Sequence, residues 1–438
     1  MVRYRDDPAA LQGLVEPDRV HRDLYLDDEL FALEQERLFA RAWVYVGHAS
    51  QVPAAGDYAT VEIAGRPLVL VRHQDGTLRV LMNRCAHKGA MVVAERSGNT
   101  GRAFRCPYHS WSYRTDGSLL AVPTPAGYAG TRMRECETGR GMQPVAIAER
   151  RGFVFARIAE SGPTFEAYFA PVLAALDGMA DRSPEGELEV AGAPLRNLIR
   201  CNWKVYLENV NDALHANITH ESSASAAQAV WSAQPPGTPE PMALEQLLPF
   251  GSGNDFMAKM GGRVFAGGHS YLGTNASIHS GYSALPEYEA AMIRAYGAVR
   301  ANEILAWAPQ NAILYPSIAI KASPQTLRVL RPLGAERTLV EAWAFRPKGA
   351  PRALLERTLL YNRIVFSPMS IVAHDDVRVF ERIQRGLRST GNPWVSLHRD
   401  FKPAELGQAD YSSSGIDEVL MRNQYRAWAR LMTAEPPQ

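Results

Sequence analysis

Two short motifs in the first third of the chain pair a cysteine with a histidine. One is Cys85-Ala-His87, the other is Cys106-Pro-Tyr-His109, and eighteen residues lie between them. Thiolate sulfur and imidazole nitrogen are ligands that proteins offer to zinc, copper and iron–sulfur clusters. Four such residues in two ordered pairs indicate a metal centre held between two loops.

These four side chains fit two kinds of centre. A structural zinc ion would take all four in one tetrahedron, whereas a Rieske [2Fe–2S] cluster takes both thiolates on one iron and both imidazoles on the other. Small zinc modules more often contain Cys-x-x-Cys pairs, which this stretch lacks. The residues Ala86, Gly89 and Pro107 would let two loops wrap closely around a cluster. The pattern favours the cluster and leaves zinc as the alternative.

A cluster with two imidazole ligands has a reduction potential of about −150 to +300 mV, above the roughly −400 mV of a plant-type ferredoxin. Such a centre accepts electrons from a ferredoxin and passes them to something more oxidising. We therefore expect an electron acceptor elsewhere in the same chain.

A second group of ligand-type residues lies in residues 202–220, "NWKVYLENVNDALHANITH", which contain Asp212, His215 and His220. On an ideal helix residues 212 and 215 lie about 60° apart, whereas residue 220 lies about 140° from residue 215. A straight helix cannot aim both histidines at one ion. If they share a metal, the helix must bend, bulge or end between them.

A carboxylate ligand is predicted in residues 371–387, "IVAHDDVRVFERIQRGL", which have the apolar periodicity of a helix. Asp376 lies inside the apolar stripe, four residues from both Val372 and Phe380. A buried carboxylate is costly unless it is paired or binds a metal.

The neighbouring Asp375 is predicted at the rim of that stripe, as a surface ion-pair partner of Arg378. Two adjacent aspartates leave open which one binds a metal, and the position within the stripe favours Asp376. His215, His220 and Asp376 then fit a 2-His-1-carboxylate triad, which leaves positions on Fe(II) free for O₂ and substrate.

The elements that must position these residues fall into two classes along the chain. A helix is predicted over residues 27–43, followed by alternating runs broken by turns such as Asp75-Gly76 and Asp116-Gly117, which are typical of successive β-hairpins. We predict an antiparallel β domain over residues 40–157.

Residues 1–39 and 158–438 are predicted to form a second, α+β domain with an antiparallel sheet. Its predicted helices cover residues 165–179, 288–307 and 352–366, and its predicted strands cover residues 311–320, 325–333 and 337–347. Residues 221–260 are rich in Ser, Ala, Gly and Pro, so we predict a lid or a partly disordered loop there.

Composition excludes several classes of function. The chain has 47 Lys and Arg against 46 Asp and Glu, which gives no electrostatic argument for a nucleic acid or an anionic membrane as partner. No run approaches the roughly 20 apolar residues of a membrane helix, and the charged N-terminus does not look like a signal peptide, so we expect a cytoplasmic protein. Four cysteines are too few for a disulfide scaffold, and Cys136 and Cys201 are predicted to be buried thiols.

Taken together, the Cys-x-His and Cys-x-x-His pairs, residues 202–220 and "HDDVRVFERIQRGL" resemble the large (α) subunit of Rieske non-haem iron ring-hydroxylating oxygenases. The resemblance covers nearly the whole chain, including "LEQERLFARAWVYVGHASQVPAAGDY" near the start. It implies an N-terminal Rieske domain and a catalytic domain of helix-grip (START-like) fold.

The resemblance also implies roles for individual residues. Cys85 and Cys106 would bind one iron of a [2Fe–2S] cluster and His87 and His109 the other. The triad would hold a mononuclear Fe(II).

The same resemblance implies that Asp212 bridges an iron-ligating histidine and a cluster histidine of the next subunit of a trimer. Asn209 would approach the open side of the mononuclear iron.

The resemblance implies as partners a ferredoxin or flavin reductase and a small β subunit, or else a homotrimer. The reaction would be hydroxylation of an aromatic ring with O₂, the substrate being an aromatic acid such as a substituted benzoate. An anion needs a cation in the pocket, and Lys321 and Arg328 on the predicted central strands are the candidates. The alternatives are O-demethylation or N-dealkylation and, in a different class, an electron carrier with a non-catalytic binding domain.

Overall fold

The computed structural model of the protein describes residues 3–134, 141–279 and 281–434. Phe39–Phe165 form one compact unit, and the residues on either side of it in the chain form the other. Within the described ranges no helix is both long enough and apolar enough to cross a membrane.

The N-terminal segment belongs to the second unit and contains short elements. These are α1 (Pro8–Gln12), β1 (Arg19–His21), α2 (Asp23–Leu26) and α3 (Asp28–Glu34), the last continued by a π-helical turn at Gln35–Phe39. The Asp27 side chain accepts hydrogen bonds from the first backbone N–H groups of α3, which sets its start. The helix predicted over residues 27–43 is present but ends at residue 39.

The first compact unit is built from three small antiparallel sheets, so the predicted antiparallel β domain is confirmed as a fold class. Its strands are β2 (Val44–His48), β3 (Asp57–Ile63), β4 (Arg66–Arg72), β5 (Leu78–Met82), β6 (Ser97–Asn99), β7 (Ala103–Arg105), β8 (Ser112–Arg114), β9 (Leu119–Ala121), β10 (Ala146–Arg150) and β11 (Phe153–Arg157). The sheets have the strand orders β10-β11-β2, β5-β4-β3-β6 and β7-β8-β9.

The second unit is α+β, as predicted. Its remaining helices are α4 (Phe165–Phe169), α5 (Leu173–Asp181), α6 (Trp203–Val210), α7 (Leu214–Thr219), α8 (Glu221–Ser232), α9 (Met242–Leu247), α10 (Asn254–Lys259), α11 (Pro286–Tyr296), α12 (Ala298–Ala306), α13 (Arg352–Val365), α14 (Ile371–Gly386) and α15 (Val419–Thr433). Its strands are β12 (Leu188–Val190), β13 (Leu195–Ile199), β14 (Gly262–Phe265), β15 (Ser270–Leu272), β16 (Asn311–Leu314), β17 (Ile318–Lys321), β18 (Thr326–Gly334), β19 (Arg337–Pro347), β20 (Trp394–Ser396) and β21 (Asp410–Ser413).

A nine-stranded antiparallel sheet forms the centre of this unit. Its order is β12-β19-β18-β17-β16-β15-β14-β21, and β13 also pairs with β19. The long helix α13 packs on β19 and on α14, and α14 in turn contacts α6 and α7. Strands β16, β17 and β18 are buried along most of their length, because helices cover the sheet there.

Two predicted segments, residues 221–260 and residues 311–320, differ in kind from the structure. Residues 221–260 are largely helical, which contradicts the predicted partly disordered loop, because their small alanines favour helix and Ala224 and Ala227 pack into the core. The alternative prediction of a lid stays a prediction. The strand predicted over residues 311–320 is a hairpin, since Pro316 cannot continue the ladder. Cys201 is buried as predicted, whereas Cys136 lies outside the described residues.

One buried carboxylate ties three parts of the second unit together. Glu34 at the end of α3 accepts hydrogen bonds from Trp203 Nε1 (2.8 Å), Lys204 Nζ (2.5 Å) and Trp428 Nε1 (2.7 Å). All four side chains are buried. The contacts hold the start of α6 between the N-terminal and C-terminal helices.

We expect Glu34→Leu to lower the free energy of unfolding by about 3–5 kcal/mol, because it leaves the Lys204 ammonium buried without its partner. Glu303→Leu, which breaks an exposed pair with Arg300, is the matched control and should change it by less than about 1 kcal/mol. Denaturant unfolding followed by tryptophan fluorescence measures both. Equal effects of the two changes would contradict the role given to Glu34.

Candidate functional site

The two cysteine–histidine motifs lie on two loops of the first unit that have the same backbone hydrogen-bond pattern. Cys85 follows β5, and Cys106 opens the turn between β7 and β8. The Cys85 N–H donates to the Ala90 carbonyl and the Cys106 N–H to the Trp111 carbonyl, both at 2.8 Å. Each cysteine therefore begins a turn that closes five residues later.

Within these loops the thiols are buried more deeply than the imidazoles. Cys85 and Cys106 are buried, His87 is half-buried and His109 is exposed. The His87 and His109 rings lie with centroids 4.7 Å apart, and Trp111 stacks on His87 at 5.0 Å. Trp111 thus covers one face of the imidazole pair.

This arrangement fits a cluster better than a zinc ion. A tetrahedral zinc would hold all four side chains around one point, whereas here both thiols are buried and the two imidazole rings contact each other. A pair of thiols apart from a pair of imidazoles is the division that a Rieske cluster requires.

The Cys85 thiol is prepared to carry negative charge. Its Sγ lies 3.0 Å from the Tyr113 hydroxyl, which also accepts the Ala86 N–H at 3.0 Å. Burial raises the pKa of Cys85, but hydrogen bonds from Tyr113 and from the His87 backbone lower it by more, so the pKa lies below its ordinary value. A thiolate is the form that binds iron.

The second group of ligand-type residues lies where three helices succeed one another. His215 is in the first turn of α7, and His220 stands at the junction of α7 with α8 with non-helical backbone angles. The helix therefore ends between the two histidines, which is one of the predicted solutions. Asp212 precedes α7, where it accepts hydrogen bonds from the N–H groups of Leu214 and His215.

The structure brings His215, His220 and Asp376 together. Asp376 Oδ1 lies 3.4 Å from His220 Nε2 and 3.9 Å from His215 Nε2, and one ligand atom from each residue lies within 4.8 Å of the others. Two imidazoles and one carboxylate at this separation can hold a single Fe(II) ion.

Two further predicted residues contact this group. Asn209 Nδ2 donates to Asp376 Oδ1 at 3.1 Å, so it orients the carboxylate. Asp212 Oδ2 lies 3.3 Å from His215 Nδ1, and its Oδ1 accepts from Arg399 at 3.0 Å. Burial raises the pKa of Asp212, but its bonds with His215 and the Arg399 charge lower it by more, which keeps it ionised.

The prediction for Asp375 is wrong. It is not a surface ion-pair partner of Arg378, which lies 3.6 Å from Glu381 instead. Asp375 Oδ2 lies 3.4 Å from His220 Nδ1 and 3.3 Å from the Ser223 hydroxyl. Successive helix positions point about 100° apart, so Asp376 faces the Nε2 side of His220 and Asp375 reaches its Nδ1 side.

A cavity adjoins the three residues, and the space between its walls, including its opening to solvent, is about 520 Å³. About half of its lining residues are apolar: Val210, Ala213, Ala216, Phe250, Met257, Met260, Leu272, Ile278, Val365, Phe366 and Val372. An apolar surface of this kind suits an aromatic ring. Sequence patterns gave no signal for the contributions of Phe250, Met257 and Met260, since their segment was predicted to be a loop.

The polar part of the cavity wall contains both predicted cations. Lys321 on β17 and Arg328 on β18 are buried and line the cavity together with Gln310, Asn311 and Tyr361. No carboxylate oxygen of the described residues lies within 4.0 Å of either cation. The sequence does not indicate that Gln310, Asn311 and Tyr361 line the cavity, because a single amide or hydroxyl in a strand or helix forms no motif.

Comparison with known proteins identifies the two units. Residues 42–134 match the family described as Rieske [2Fe-2S] domain, and residues 173–434 match the ring hydroxylating alpha subunit (catalytic domain). The large subunit of anthranilate 1,2-dioxygenase from Acinetobacter baylyi is 30% identical, over 94% of this chain and 89% of the relative. The chain belongs to the alpha subunits of Rieske aromatic ring-hydroxylating oxygenases.

Other relatives of this alpha subunit differ in what they act on. The alpha subunit of N,N-dimethyl phenylurea N-demethylase from a Sphingobium species is 27% identical over 97% of this chain and 92% of the relative. Naphthalene 1,2-dioxygenase with bound indole has the same fold, with a TM-score of 0.77 and 23% identity over 96% of this chain and 94% of that one. The family implies a [2Fe–2S] cluster and a mononuclear iron, and the donor sets described above fit both.

We expect Asp375→Asn in this alpha subunit to lose mononuclear iron about 10–100-fold more readily, because a partner of a ligating imidazole fixes the tautomer and raises basicity. Iron content after dialysis against a chelator measures the loss, with the visible spectrum of the cluster as internal reference. Glu381→Gln, on the same helix and outside the cavity, is the control. Iron retention equal to the control would contradict the role of Asp375.

Proposed function

We propose that this alpha subunit hydroxylates the ring of an aromatic acid, such as a substituted benzoate, with O₂ and electrons from a ferredoxin or flavin reductase. The single observation that carries the substrate class is the pair of buried cations, Lys321 and Arg328, on the wall of the cavity that adjoins the iron triad. The product would be a cis-dihydrodiol or a phenol.

In this proposal Cys85 and Cys106 hold one iron of the cluster and His87 and His109 the other. His215, His220 and Asp376 hold the mononuclear iron. When bound, the two groups supply one-electron transfer and the binding of O₂ beside the substrate. The chain's own part is to orient the ligands and to keep the cavity apolar.

Lys321 and Arg328 favour an anionic substrate because no carboxylate of the described residues pairs with them. The Arg328 guanidinium donates to Asn311 Oδ1 at 2.5 Å and stacks on Phe366 at 4.9 Å, and its Nε has no hydrogen-bond partner. Asn311 is itself fixed by a bond from its Nδ2 to the Val210 carbonyl. A fixed guanidinium whose Nε–H has no partner is suited to a carboxylate.

The same charges disfavour other substrates. A cationic ammonium would meet like charge, and a neutral hydrocarbon would leave the Arg328 guanidinium buried without an anionic partner. O-demethylation or N-dealkylation of a substrate that carries an acid group is the alternative, supported by the name of the N-demethylase relative. Product analysis distinguishes hydroxylated rings from dealkylated ones.

We expect Arg328→Met to raise the KM for benzoate about 10–100-fold, because it removes hydrogen bonds to a charged group worth about 1.5–3 kcal/mol. Binding of the neutral isostere benzamide should change little. Steady-state O₂ uptake coupled to product measures the effect, and Arg337→Met on the exposed part of β19 is the control. An unchanged KM for every aromatic acid tested would contradict the proposal.

We propose further that Asp212 links His215 to a cluster histidine of a neighbouring copy, in a ring of three alpha subunits with or without a small β subunit. Its carboxylate already contacts the His215 ring and N–H on the side away from Asp376.

Asp212→Ala should therefore keep both metal centres and lose turnover about 100-fold, the upper end of the range for partners of metal ligands. Metal analysis, visible spectrum and product formation are the readouts. Asp255→Ala, an exposed change on α10, is the control. Full turnover in Asp212→Ala would contradict the link.

A further inference from the structure

Lys321 and Arg328 lie close together on one face of the central sheet. In the antiparallel pairing of β17 with β18, Arg328 is opposite Ala319, and Lys321 is opposite Thr326. Side chains two residues apart on a strand share a face, so Lys321 and Arg328 are diagonal neighbours. Both face the cavity.

Lys321 has few groups to stabilise a charge when the cavity holds no anion. Within the described residues its Nζ donates a single hydrogen bond, to the Gln310 backbone carbonyl at 3.0 Å. The side chain is 5% exposed. An ammonium group has three N–H donors, and burial with one backbone acceptor stabilises the charged form poorly.

The titratable groups around Lys321 among the described residues do not stabilise its charged form. Arg328 on β18 repels it, and His279, in the segment after β15, is close enough to interact with it electrostatically. Tyr361 on α13 shares the cavity wall, and β16 presents no charged residue. The carboxylates on the wall, Asp212 and Asp376, belong to the iron end and lie outside 4.0 Å.

These surroundings predict a neutral amine in the empty cavity. Burial, and then the Arg328 charge, hold the pKa of Lys321 well below its ordinary value. Arg328 itself stays charged because a guanidinium does not lose its proton in proteins. The empty cavity would then hold one cation instead of two.

We propose that Lys321 takes up a proton when an aromatic carboxylate enters the cavity, so that the enzyme binds the anion together with one proton. This inference rests on the aromatic-acid function proposed above. The carboxylate would bring the counter-charge that Lys321 lacks, and the ammonium so formed would donate to it beside Arg328. No bond other than the N–H bond forms, and the proton comes from solvent.

Proton uptake on binding predicts the direction in which the affinity for the anion changes with pH. Below the pKa of Lys321 in the empty cavity the amine is already charged, and binding takes up no proton. Between that pKa and the higher one in the complex, affinity for the anion falls tenfold for each pH unit gained. A neutral ligand shows no such fall.

The test is calorimetric titration of the resting holoenzyme with benzoate, without reductant, in buffers of different ionisation enthalpy. The titration is repeated over the pH range in which the holoenzyme is stable, because burial and the Arg328 charge hold the pKa of Lys321 well below its ordinary value. The slope of the observed enthalpy against buffer ionisation enthalpy gives the protons taken up. We expect about one proton for benzoate and 1-naphthoate, and none for benzamide.

Two variants distinguish proton uptake by Lys321 from binding of the carboxylate. Lys321→Arg is permanently charged and should bind benzoate without proton uptake, and Lys321→Met should bind it more weakly, also without uptake. Benzoate binding by the wild type with no uptake, or with the same uptake in Lys321→Arg, overturns this inference and leaves the proposed function standing. If neither benzoate nor 1-naphthoate binds, the aromatic-acid function fails and this inference with it.

Discussion

The convergence of His215, His220 and Asp376 on one point is the constraint on which the second unit depends. The two imidazoles lie five residues apart, so a continuous helix would aim them in different directions. The chain solves this by ending α7 at Thr219 and placing His220 at the junction with α8. The carboxylate comes from α14, about 160 residues later in the sequence, so the packing of α14 against α6 and α7 decides whether the three ligand atoms meet.

Polar contacts around the three residues then fix the direction of each. Asp212 stands beside His215, Asp375 beside His220, and Asn209 beside Asp376. Glu34 accepts a hydrogen bond from Trp203 at the start of α6, and Asn209 lies near the other end of this helix. Stability and site geometry are therefore linked through one short helix, because a shift of α6 would move the orienting amide away from the carboxylate.

The cavity combines two chemical environments, one apolar and one with polar and basic side chains. The apolar wall surrounds the space next to the triad, while the strands β16 to β18 contribute amides and two cations without carboxylate partners nearby. A ring with an acid group would satisfy both environments at once. Placing the cations on the central strands of the sheet also keeps them rigid, which in the proposed function would fix where the acid group binds relative to the ring position that reacts.

Much of this could be predicted from sequence, for reasons that differ between residues. Cys85, His87, Cys106 and His109 carry a local signal, since their spacing alone restricts the chemistry. Asp375 could not be placed, because its partner His220 is distant in sequence and the rim position looked like a surface ion pair.

The helices within residues 221–260 are not indicated by the sequence, because small residues reduce the apolar periodicity on which helix prediction depends. Gln310 and Asn311 gained their importance only from the sheet, which brings them beside Arg328 and Lys321.

The central claim is that one chain holds both an electron-carrying cluster and a separate iron that accepts the electrons. Iron and acid-labile sulfide analysis of the purified protein tests it most directly, with Asp376→Ala as the comparison. We expect about three iron atoms and two sulfides per chain, falling to about two iron atoms in Asp376→Ala with an unchanged visible spectrum. A wild-type protein with two iron atoms per chain, or with zinc in place of the cluster, would contradict it.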